Sequence, residues 1–497
     1  MKRVLIPLLL VLCLLLSLLA GCQEAQFGKN DKTFENLDPQ EQEDAYEYKL
    51  FFQPQDVGGN DAYVGDPMPY YEDGTYYIFY LKEGGNSYNH SIFLTTTKDF
   101  LTYEEHEGPI LESGSGQDAW IGTGSVVKVG SKYYLFYTAH AGAGEFEFKE
   151  TIRVAKGSSL TDFAKVPDWE LLPPEEIGQK NDFRDPQAYV DPDTGKIILT
   201  ITAAQDGVAR ILKYSLNPDL SEPKYEGIIF TDPTGLFWNL ECSDTFQLGG
   251  RWYITYSAQD DTLWYAFSDS RYGPYSEPRR IDGKLFYAAK HIEDGSDSYM
   301  VGWGRRSESP YSTGPLTGWA GNLVVQKLRA AEDGTLCLEA PKALLDSFTQ
   351  KRPLLAKDGT CSLEAGSDQI YSEAFTAYER FLLTGKFTCT GEGDFGLAFD
   401  FDGSEAQYKR ITLQPDDDKI ELSFADGYIT AADTAAVLDP GQTYSFTYLQ
   451  EGSVGVFYVD GVAALTVRLY GVSGKSIRLF AEDNSVTFSE LAEYTMK

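Results

Sequence analysis

One short strand pattern recurs five times between residues 70 and 306, and no other feature narrows the fold as far. The copies are Gly74-Thr-Tyr-Tyr-Ile-Phe-Tyr80, Ser131-Lys-Tyr-Tyr-Leu-Phe-Tyr137, Gly195-Lys-Ile-Ile-Leu-Thr-Ile201, Gly250-Arg-Trp-Tyr-Ile-Thr-Tyr256 and Asp297-Ser-Tyr-Met-Val-Gly-Trp303. Each is rich in aromatic or β-branched residues and follows a turn signal, as a strand entered from a hairpin should. Their first large apolar residues (Tyr76, Tyr133, Ile197, Trp252, Tyr299) lie 57, 64, 55 and 47 residues apart. That spacing leaves room for about four strands and their loops per unit, the signature of propeller blades. The chain is therefore expected to be all-β, with a five-bladed β-propeller over residues 46–330. A long helical period is absent from this stretch.

Beyond a connecting segment at 331–357, residues 358–497 hold short segments such as Val456-Phe-Tyr-Val459 that read as half-buried antiparallel strands. Turn signals stand at Thr390-Gly391, Asp426-Gly427, Pro440-Gly441 and Asp460-Gly461. This predicts a C-terminal β-sandwich. At the other end, Lys2 and Arg3 precede an apolar run from Val4 to Ala20 that closes on Leu19-Ala20-Gly21-Cys22, a sequence that resembles a bacterial lipobox. Residues 1–21 are read as a lipoprotein signal, Cys22 as the lipidated residue, and 22–45 as a flexible acidic spacer. The location expected is extracytoplasmic, on a cell membrane, reached only through that N-terminal lipid.

Charge excludes one class of partner. Lys and Arg number 42 against 75 Asp and Glu, a net charge of −33, which repels nucleic acid and anionic lipid. After Cys13 and Cys22 are set aside, Cys242, Cys337, Cys361 and Cys389 show no metal spacing and leave room for one disulfide of unassigned pairing. His90, His106, His140 and His291 have no ligand spacing either and are read as exposed or structural. No metal and no cofactor is expected.

The repeat also sorts the acids. On the strand before each marker the chain reads Gly65-Asp66-Pro67, Gly122-Thr123-Gly124-Ser125, Arg184-Asp185-Pro186, Leu240-Glu241-Cys242 and Tyr287-Ala288-Ala289-Lys290. Asp66, Asp185 and Glu241 precede their markers by 10, 12 and 11 residues, which predicts one shared position. First strands of propeller blades line the central channel, so three carboxylates should converge at one mouth. Crowded buried carboxylates push one another's pKa values apart, and two carboxylates with separated roles are the machinery of glycoside hydrolysis.

In this order, these segments resemble glycoside hydrolase family 32, the invertase, levanase and inulinase group of β-fructofuranosidases. The likeness extends to Phe286-Tyr-Ala-Ala-Lys290, Gly302-Trp303, Val456-Phe-Tyr-Val-Asp-Gly461 and Arg478-Leu-Phe-Ala-Glu-Asp483. The resemblance implies a retaining hydrolase of β-fructofuranosyl linkages in sucrose, fructo-oligosaccharides or fructans. It gives Asp66 as nucleophile, Glu241 as acid and base, and Asp185 as stabiliser of the transition state with Arg184 as its charge partner. Thr123 is placed at the sugar, and Trp120 and Trp303 are candidates for aromatic walls. Where the family pattern reads Trp-Met-Asn-Asp-Pro-Asn-Gly, this chain has Tyr63-Val-Gly-Asp-Pro-Met-Pro69, lacking the Asn and the Trp. Two other readings stay open: an inverting five-bladed furanosidase of the arabinanase and xylosidase group, and a surface lipoprotein that binds glycan without cleaving it.

Overall fold

The computed structural model describes residues 48–496, apart from 56–61, 85–89, 145, 179, 307–317, 355–358, 401–408 and 425–428. The signal, Cys22 and the spacer lie outside the described residues. Among those described, no helix is long and apolar enough to cross a membrane.

Five antiparallel blades follow in chain order, and the five repeat copies form their second strands: Thr75–Glu83, Lys132–His140, Ile197–Gln205, Arg251–Ser257 and Ser298–Arg306. These strands are apolar on both faces because each lies between two neighbouring blades. Phe79 and Leu81 of blade I pack with Leu135 and Tyr137 of blade II, whose Phe136 in turn meets Phe183 and Leu199 of blade III. The circle closes where Val64 of blade I pairs with Gly321 of blade V.

The fourth strand of blade V is Leu336–Glu339, so the propeller runs past residue 330, and the sandwich already begins at Gln350–Pro353, inside the stretch read as connector. Four-residue strands are too short to show an alternation. The sandwich packs two seven-stranded sheets around Phe381, Phe387, Phe395, Phe399, Tyr448 and Leu479. It is fastened to the propeller by buried polar contacts. Asp282 accepts hydrogen bonds from the Thr466 N–H (2.7 Å) and hydroxyl (2.6 Å), and Arg468 donates to the Gly304 carbonyl (2.7 Å) and Asn322 (3.0 Å). Cys242, Cys337, Cys361 and Cys389 are all free thiols, spread over two blades and the sandwich, so no disulfide forms among them.

The inner strands are Tyr63–Glu72, Trp120–Val129, Phe183–Val190, Glu241–Leu248 and Phe286–Glu293, and all five share one irregularity. Two of their residues oppose a single residue of the second strand: Asp66-Pro67, Gly122-Thr123, Asp185-Pro186, Cys242-Ser243 and Ala288-Ala289. The first of each pair is left-handed in four blades, with φ of 41° at Asp66, 59° at Asp185, 52° at Cys242 and 51° at Ala288. A bulge of this kind turns a side chain out of the pleat, here toward the channel mouth.

The register corrects the expectation of one shared position. Asp66 and Asp185 are equivalent, at the bulge itself, but Glu241 stands one residue earlier, equivalent to Gly65, Ile121, Arg184 and Tyr287. The acids therefore occupy two adjacent rings, and the offset of 11 between 10 and 12 conceals the step because loop lengths differ between blades.

Candidate active site

Both rings open into a cavity of about 510 Å³ at the channel mouth, lined by all three acids. In the bulge ring, Asp66 Oδ1 accepts the indole N–H of Trp303 at 3.3 Å, and Asp185 Oδ2 accepts the Cys242 N–H at 2.7 Å. Burial pushes Asp66 up to about 7, with the charges of Asp185 and Glu241 adding to it. Asp185 is raised to about 6, again chiefly by burial, with Arg184 pulling it back.

The other ring forms a hydrogen-bonded chain across three blades. Arg184 donates to Glu241 Oε1 at 2.9 Å, and the Tyr287 hydroxyl donates to Oε2 at 2.6 Å. Arg184 also meets Asp182 at 3.0 Å and Glu150 at 3.2 Å. Burial would weaken its hold on its proton, but the carboxylates of Glu150, Asp185 and Glu241 outweigh that and keep the guanidinium charged. Its hydrogen bonds go to Glu241 and not to the neighbouring Asp185, because the bulge sends consecutive side chains to different rings. Both carboxylate oxygens of Glu241 are thus held by donors fixed in neighbouring blades.

The cavity walls depart from expectation in several places. Thr123 lies where expected, buried at the cavity, and its hydroxyl has no hydrogen-bond partner among the described residues. Trp303 is fully buried and reaches the site through its N–H alone, while Trp120 stands at the rim, edge-on to His90 at 5.2 Å. The tryptophans that line the cavity are Trp238 and Trp319. Trp319 stacks on His90 at 4.5 Å, and His140 lies 3.5 Å from Glu150. His90 and His140, both partly exposed, also line the cavity. Glu150, Asp182, Trp238 and Trp319 carry no repeat signal; only the fold brings them here. Among the described residues no group of His, Cys, Asp and Glu is arranged to hold a metal ion.

Residues 57–340 match the family model described as the glycosyl hydrolases family 32 N-terminal domain. The chain belongs to glycoside hydrolase family 32. A curated relative, the sucrose-6-phosphate hydrolase of Escherichia coli, is 26% identical over 279 residues, 51% of this chain and 56% of that protein. Among solved structures, fructan 1-exohydrolase IIa from Cichorium intybus superposes with a TM-score of 0.71 over 91% of this chain and 97% of its own, at 17% identity. Exo-inulinase from Aspergillus awamori gives 0.72 over 91% and 98%, at 15% identity. These structures share the propeller-plus-sandwich fold. The identities are low, so this chain is a divergent member, and its Gly65 has a structural reason of its own. A Cβ built there would fall 2.2 to 2.8 Å from ring atoms of Trp319, so the tryptophan occupies the space a side chain would need.

Proposed function

We propose that this protein is a retaining β-fructofuranosidase that hydrolyses sucrose, fructo-oligosaccharides or fructans. The observation that carries the reading is the division of the acids: two carboxylates raised by burial in one ring, and in the other a carboxylate gripped by Arg184 and Tyr287 at the same cavity. Asp66 attacks the anomeric carbon of the fructosyl unit as the bond to the leaving oxygen breaks, and Glu241 gives that oxygen its proton. Water then loses a proton to Glu241 and adds its oxygen to the same carbon, freeing Asp66. Asp185 stabilises the positive charge that develops between these states. Thr123 offers its unpartnered hydroxyl to the sugar, and Arg184 orients Glu241. The Lys2-Arg3 start, the apolar run and Cys22 support export and lipid anchoring outside the cytoplasm.

Incubation with sucrose, inulin, levan and arabino-oligosaccharides tests the reading. Fructose is expected, formed first as the β-anomer by NMR, and Glu241→Gln is expected to abolish its release while the fold survives. First appearance of the inverted anomer would restore the inverting furanosidase reading. Glycan binding without release of sugar would favour a binding lipoprotein.

A further inference from the structure

The segment from Asp232 to Asn239, between blades III and IV, is tied down from within yet presents apolar side chains to water. The Asp232 carboxylate accepts hydrogen bonds from the N–H of Thr234 (3.0 Å) and Phe237 (3.0 Å), and the Phe237 ring is buried against Trp264. Gln259 accepts from the N–H groups of Trp238 and Asn239, both at 3.2 Å. On this fixed backbone Leu236 is 78% exposed and Trp238 45% exposed. Apolar surface held rigidly in water beside a polar cavity marks a surface meant to be covered by a ligand.

Its place relative to Glu241 says which ligand. One guanidinium touches both: Arg184 donates to Glu241 at 2.9 Å, and its carbon lies 5.5 Å from the centre of the Trp238 ring. Trp238 also lines the cavity. The group next to Glu241 in the proposed reaction is the leaving group, because Glu241 protonates its oxygen. We infer that Trp238 and Leu236 form a binding site for the leaving-group sugars of a β-fructosyl oligosaccharide, the ring taking the C–H face of the first unit and Leu236 meeting the next. This rests on the role given to Glu241 above, and it makes chains of three or more sugars the preferred substrates.

The test compares leaving groups. Trp238→Ala is expected to lower kcat/KM about tenfold, mainly through KM, on a β-fructosyl tetrasaccharide. On methyl β-D-fructofuranoside, whose leaving group has no ring, the loss should be several-fold smaller than on the tetrasaccharide. Trp238→Phe should recover most of the activity, and Leu236→Ser should weaken the tetrasaccharide only. Equal losses on both substrates, or none on the tetrasaccharide, would overturn the inference while leaving the fructosidase reading intact. A wild-type protein that releases no fructose from either substrate would sink both.

Discussion

At residue 66 in blade I and residue 288 in blade V the chain takes the same left-handed turn, φ 41° and 51°, at the same two-against-one bulge. One position carries a carboxylate that faces the cavity; the other carries a methyl group, fully buried. Non-glycine residues in this conformation store backbone strain, and such strain is often read as a sign of catalysis. Ala288 argues otherwise here. The strain belongs to the architecture, which needs a bulge to bring each inner strand to the mouth, and chemistry is added by the side chain placed on it. The blades thus differ in what they aim, not in how they aim it.

The largest expected effect comes from making blade I neutral at this position, as blade V already is. Asp66→Asn keeps an acceptor for the Trp303 N–H and a residue type at home in the left-handed region. We expect kcat to fall by at least about 10⁴-fold. Stability should move the other way, with a sign fixed by the pKa. Asp66 is raised from 3.8 to about 7, so the wild-type fold is favoured with Asp66 neutral and loses stability as pH climbs through about 7. The variant lacks this loss. Its melting temperature should exceed that of the wild type at pH 8, and the gap should close toward pH 4. Wild-type kcat/KM should rise over the same range in which stability falls, because Asp66 must be ionised to act as the nucleophile proposed above. A gap that does not change with pH would remove the buried charge from the account of blade I.

A second difference between blades lies one residue earlier. Arg184, Glu241 and Tyr287 fill that position in blades III, IV and V, whereas blade I has Gly65 and borrows Trp319 to fill the space. Gly65→Ala should displace the Trp319 ring and lower kcat/KM about tenfold, with about 1–3 kcal/mol of overpacking. Trp319→Ala alone should also weaken activity. The two together should be milder than their sum, since the smaller residue removes the clash. Strict additivity in kcat/KM and melting temperature would show that the two positions do not share the space.

How much of this was legible depended on length and locality. The second strands announced themselves because both faces are buried, so seven residues carry the whole signal. The inner strands were found only by counting back from them, and counting cannot see a bulge built from Asp, Cys and Ala with no glycine common to all. Hence Asp66, Asp185 and Glu241 were gathered at the mouth, but Glu241 was placed in the wrong ring. Glu150, which anchors Arg184, lies 34 residues away on an outer strand of another blade, and Trp319 enters only through the closure between blades V and I. Neither belongs to a pattern that a single strand could display.

The smallest expected effect separates architecture from chemistry most cleanly. The bulge N–H groups of blades III and V are both tethered to a hydroxyl on the second strand of the preceding blade: Asp185 N–H to Thr138 at 2.8 Å, and Ala288 N–H to Ser257 at 2.9 Å. Thr138→Val and Ser257→Ala each leave a buried donor unpaired, at about 1–3 kcal/mol, so both should lower the melting temperature by a few degrees. Only Thr138→Val also releases a carboxylate-bearing residue, and it frees the Thr123 carbonyl, which the same hydroxyl reaches at 3.0 Å. We expect kcat to fall about tenfold in Thr138→Val and to stay within about twofold of wild type in Ser257→Ala. Equal losses of kcat would mean that the tethers act on the ring of bulges as a whole. The loss confined to Thr138→Val would mean that precision is needed only where a blade carries an acid.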